Sequence, residues 1–125
     1  MNRPIKFRVW DKRETKGRST QNMLYDAQLH HFWKDFVDYP GYELMQYTGL
    51  TDSNDKEIYE GDILKISYGA MGDVIGQVLY EADHGGYIFQ WERKGPNQHH
   101  INLNCDVAFE SVIVGNIFEH ENLLK

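Results

Sequence analysis

The sequence predicts an all-β, or β-dominated, fold: a small N-terminal β layer beside an SH3-like unit of five short strands. Three observations predict it. Aromatic residues reach 14%, and aromatic side chains fit the pleated, half-buried surface of a sheet. Apolar and polar residues alternate with a period of two over many short segments. Turn signals rich in Gly, Asp and Asn separate these segments at ~8–12-residue spacing, the pattern of a small barrel or sandwich. At 125 residues the chain has the size of one domain and can bury a core without covalent staples. Within one compact unit the reading divides it into an N-terminal β subdomain with a basic loop, 1–46, and the SH3-like barrel subdomain, 47–125.

The elements follow in chain order. Ile5, Phe7 and Val9 alternate with Lys6, Arg8 and Trp10, which predicts a half-buried first strand. Residues 11–21 are polar and without period, and predict an exposed loop. Met23 to Tyr25 pairs back on the first strand. Leu29, Phe32, Trp33, Phe36 and Val37 are spaced by three and four, so one short helix is expected near 26–37, with Asp26 as its cap. A bulged strand pair is the alternative there. Pro40–Gly41 predicts a turn, and 42–47 a strand.

The second half alternates more clearly. Leu64, Ile66 and Tyr68 share one face of a strand; so do Val74, Val78 and Tyr80, with Gly76 expected at a bulge or close backbone approach. Tyr87, Phe89 and Trp91 mark a third strand. Ile101, Leu103, Cys105, Val107 and Phe109 predict a fourth, and 112–118 the last. Glu119 to Lys125 predicts a terminal helical turn.

Charge divides the chain. Residues 1–40 hold eight Lys or Arg against five Asp or Glu, and residues 41–125 five against fourteen, so a head of +3 precedes a body of −9. An acidic body repels phosphates and is a poor non-specific DNA binder. Cys105 is the single cysteine, which excludes an internal disulfide and fits a reducing compartment. The N-terminus does not read as a signal peptide, and no run of ~18 apolar residues offers a membrane span. The expected location is the cytoplasm.

Residues 45–63, MQYTGLTDSNDKEIYEGDI, form the most specific segment. Gly49 is expected to give a tight turn after Tyr47. Asp52 to Asp55 is a turn cluster whose side chains can bond the backbone. Glu60–Gly61–Asp62 is expected to bend in a way that suits Gly at its centre. This segment resembles the central signature of the YopX family, small proteins of phages and prophages. The opening IKFRVWD (5–11), the closing VIVGNIFE (112–119) and the pair Leu123–Leu124 resemble other parts of that family in the same order. The family commonly carries Asn-Gly where this chain has Asn54–Asp55, and Asp suits a positive φ less well than Gly. The resemblance implies a two-part β-rich fold and a phage context, and little chemistry.

His30–His31 and His99–His100 are adjacent pairs, and neighbours on a strand point to opposite faces; neither HExxH nor CxxC occurs. No metal site and no cofactor are expected. Cys105 is expected as a small core residue rather than a nucleophile. There is no phosphate loop, no GxSxG and no dinucleotide glycine fingerprint, so no catalytic residue and no small-molecule substrate are assigned. Two binding surfaces remain. Tyr47, Tyr59, Glu60 and Asp62 are candidates to line a groove. Arg8, Trp10 and Arg13, within the basic segment 3–18, are candidates to grip single-stranded nucleic acid by stacking and phosphate contact. The leading expectation is a non-enzymatic module that binds a protein partner or itself. Nucleic-acid binding through 3–18 comes second, and a small hydrolase third.

Overall fold

The structure, a computed structural model, describes residues 4–12, 14, 15, 18, 19, 22–25, 41–67, 69–92 and 98–124. The helix expected near 26–37 lies outside them. The chain forms two compact units, Met1–Tyr47 and Thr48–Lys125. It is β-dominated, built on antiparallel strands.

In the first unit β1 (Phe7–Asp11) lies between β4 (Asn22–Tyr25) and the first half of β5 (Tyr42–Thr51). Arg8 faces Tyr25 on one side and Met45 on the other. Val9 is fully buried, with Phe7, Leu24 and Tyr42 packed against it. β1 is not half-buried as its alternation predicts: Arg8 and Trp10 on its second face are buried too, while Ile5 stands 63% exposed. Long side chains bury their stems even when polar, so polarity along this strand does not report exposure.

The polar stretch 11–21 is not simply a loop. β2 (Glu14–Thr15) pairs with β3 (Arg18–Ser19). Paired residue numbers sum to 33 there, as they do between β1 and β4. The two ladders, in separate sheets, thus share one register. A ladder needs only backbone groups, so apolar alternation does not reveal it.

β5 crosses from one unit to the other. Gly49 does not end it in a tight turn, as expected from sequence; at φ 87 it sits inside the strand, where glycine absorbs a local bend. The second half of β5 meets β6 (Glu57–Tyr59), and the Thr48 hydroxyl donates to the Ile58 carbonyl at 2.8 Å.

The second unit centres on a five-stranded antiparallel sheet that curls into a half-barrel. Its strands are β7 (Asp62–Ser67), β8 (Asp73–Glu81), β9 (Gly86–Glu92), β10 (Gln98–Asn102) and β11 (Ser111–Asn116), in the order β10-β9-β8-β7-β11. Four form a meander, and β11 returns to pair with β7. Ile58, Leu64, Ile66, Val78, Phe89, Leu103 and Ala108 form the buried core. Gly76 makes the expected close approach: a Cβ there would collide with the Gln90 carbonyl and lie 2.9 Å from the Phe89 ring. The chain closes on a 3₁₀ turn, Glu121–Leu124.

The strand predicted over 101–109 is corrected. β10 ends at Asn102, and Cys105–Phe109 forms a short helix, α1. The partner strand β9 begins at Gly86, and Leu103 N still donates to Tyr87 O at 3.0 Å. Beyond that point no strand backbone remains to pair with. The chain turns into a helix instead, and the Asn104 side chain caps it by accepting from Val107 N at 2.9 Å. Cys105 is exposed, not a core residue, and Phe109 stands 76% exposed.

Candidate functional site

The family-like segment folds into a corner held by two buried carboxylates. Asp52 is buried. Its Oδ1 accepts from Asn54 N and Lys56 N, both at 2.9 Å, and its Oδ2 accepts from Ile113 N on β11 at 3.0 Å. Ser53 N donates to Ser111 O at 2.9 Å beside it. One carboxylate thus shapes the turn and fastens it to the last strand, through bonds strengthened by its charge. Asp55 takes φ 63 at the turn, a left-handed conformation that Asp tolerates better than most residues.

The second carboxylate, Asp62, is also buried, and its Oδ2 accepts from Tyr59 N at 2.8 Å. Between the two, Gly61 takes φ 85, as the expected Gly-centred bend requires. Gly61 N donates to Val78 O at 2.8 Å, and Gly61 O accepts from Ile117 N at 2.9 Å. The bend therefore ties β7 to β8 and to the end of β11.

Of the groove candidates, Tyr47, Tyr59 and Asp62 are buried and Glu60 is half-buried. Of the basic-segment candidates, Arg8 and Trp10 are buried, and Arg13 lies outside the described residues. Lys6 Nζ sits 5.4 Å from the centre of the Tyr47 ring, a cation–π distance. Lys12 Nζ meets Glu43 Oε1 at 2.9 Å on an exposed surface.

The histidines are arranged in a way that adjacency in sequence did not reveal. His99 stacks on Trp91, its cross-strand partner, with ring centres 5.8 Å apart. His100 instead meets His84, from the 3₁₀ turn Ala82–His84, with Nε2 atoms 3.1 Å apart. The neighbours do diverge, but one of them finds a partner sixteen residues earlier. Among the described residues no group of three or more His, Cys, Asp or Glu is placed to hold a metal ion, and no helix is long and apolar enough to cross a membrane.

The fold and its corner define a class: a small β-dominated protein of two units, whose most specific segment joins strands through buried carboxylates. The family described as YopX protein matches residues 6–125, nearly the whole chain, and the protein belongs to that family. No curated protein matches it. Among solved structures, the crystal structure of protein EF1440 from Enterococcus faecalis is similar over 99% of this chain and 100% of that one, with TM-score 0.56 and 22% identity. That likeness concerns the fold alone.

Proposed function

We propose that this YopX protein is a non-enzymatic accessory module of phage or prophage origin that works by protein–protein contact, self-association included. The observation that carries the reading is electrostatic. Residues 1–47 hold eight Lys or Arg against six Asp or Glu, and residues 48–125 five against thirteen, so the two units carry +2 and −8. Opposite charge on two surfaces of one chain favours head-to-body association between copies, or docking of a charged partner. The meander with a returning fifth strand supports an SH3-like barrel, a form reused for binding. Asp52 and Asp62 hold backbone amides, which favours a structural over a catalytic role for the signature. Nucleic-acid binding through 3–18 is the weaker reading, because Lys6 and Lys12 engage Tyr47 and Glu43 and Arg8 is buried.

Sedimentation velocity at low and high salt tests the self-association arm. A heavier species at low salt should dissociate as added salt screens the opposite charges. Monomer alone under both conditions removes that arm and leaves docking of a different partner. A salt-sensitive shift of single-stranded DNA or RNA, weakened by Arg13→Ala, would instead favour the nucleic-acid reading.

A further inference from the structure

We propose that His84 and His100 form a two-imidazole site for a transition-metal dication of the Zn2+, Ni2+ or Cu2+ kind. The Nε2 atoms stand 3.1 Å apart and the ring centres 4.8 Å, with the ring planes at 87°. At this separation the two nitrogens can share one bent N–H···N hydrogen bond. The same spacing also lets two neutral imidazoles aim their lone pairs at one ion: with about 2.05 Å from the ion to each nitrogen, 3.1 Å between them gives an N–metal–N angle of about 98°, between the octahedral and tetrahedral values.

The backbone fixes both positions. His84 ends a 3₁₀ turn closed by Gly85 in the left-handed conformation, with Gly85 N donating to Ala82 O at 3.1 Å. His100 lies within β10, whose register against β9 is continuous from Gln98 to Asn102. Both side chains are exposed, so water or a donor from another molecule can complete the coordination. The unit that carries them is strongly acidic, which favours a cation. Imidazole donors select Zn2+, Ni2+ or Cu2+ over Mg2+ or Ca2+, which prefer oxygen.

The test is a calorimetric titration of the full chain with ZnCl2 and, separately, MgCl2, joined to NMR of the imidazole side chains. One Zn2+ per chain should bind, the His84 and His100 resonances should move together, and MgCl2 should give neither effect. His84→Gln and His100→Gln should each weaken Zn2+ binding by about tenfold or more, while His99→Gln, which removes the ring stacked on Trp91, should leave it unchanged. Both substituted side chains are exposed, and circular dichroism checks that the variants fold. Zn2+ binding of equal strength in the His84→Gln/His100→Gln double variant overturns the proposal. So does a wild-type titration in which the two resonances stay in place.

Discussion

At the scale of single residues, Asp52 makes the most concentrated use of one side chain. Three backbone amides depend on its carboxylate. Two belong to a turn where water can replace it in part; the third, Ile113 N, sits on β11 in a half-buried place. Charge-assisted bonds contribute about 1.5–3 kcal/mol each, and a stranded buried donor adds a penalty of its own. Asp52→Ala should therefore destabilise the chain by about 3 kcal/mol, and Asp52→Asn, which keeps one acceptor oxygen, by about half as much. Urea unfolding monitored by tryptophan fluorescence reads both. Losses below ~1 kcal/mol for Asp52→Ala would mean that the corner holds without its carboxylate. The turn cluster was legible in sequence, because Asp and Asn at such a place bond the backbone. The reach to Ile113, 61 residues on, was not, because nothing local encodes a tertiary partner. The same limit hid His84 and His100. Adjacency correctly separated His99 from His100, but the partner came from another element.

At the scale of elements, the meander was read well wherever alternation coincided with a paired strand. Val74, Gly76 and Val78 turn inward along β8, and the glycine sits where a side chain has no room. The predicted close approach can be measured. Gly76→Ala would drive a Cβ against the Gln90 carbonyl, which the β8–β9 ladder holds in place, and overpacking of that kind costs about 2–3 kcal/mol. Gly86→Ala is the matched control: its Cβ would meet nothing within 4 Å, so a change within about 0.5 kcal/mol is expected. Equal melting temperatures for the two variants would contradict the packing. Alternation failed at 101–109 for a physical reason. Residues spaced by two can share a strand face, but the run continues only while a partner strand does. Once β9 has ended, Asn104 caps Val107 and the same residues make a helical turn. Failure in the polar stretch 11–21 was the converse, since a ladder forms where no apolar pattern marks it.

At the scale of the whole molecule, two compact units lie on one chain, and they differ in the core that the described residues show. The second unit packs seven buried residues into one cluster, with Phe89, Leu64 and Ile58 fully buried. In the first, the buried apolar side chains among the described residues are Val9, Trp10, Met45 and Tyr47, with Phe7, Leu24 and Tyr42 half-buried around Val9. Burial of apolar surface contributes about 25 cal/mol per Å², so stability should be graded along the chain. Amide hydrogen exchange under native conditions resolves such gradation. The amides of Ile66, Val78 and Phe89, in the central strands β7, β8 and β9, should exchange slowest, through global unfolding. Those of β1 and β4 should exchange sooner, through opening of the first unit alone, because among the described residues fewer apolar side chains are buried beneath their ladder. Mild denaturant should sharpen the contrast, since only amides that open with the larger unit share the full surface-dependent slope. Equal protection across β1 and β8, with one slope for both, would mean that the two units open together and that the first carries no separate fate.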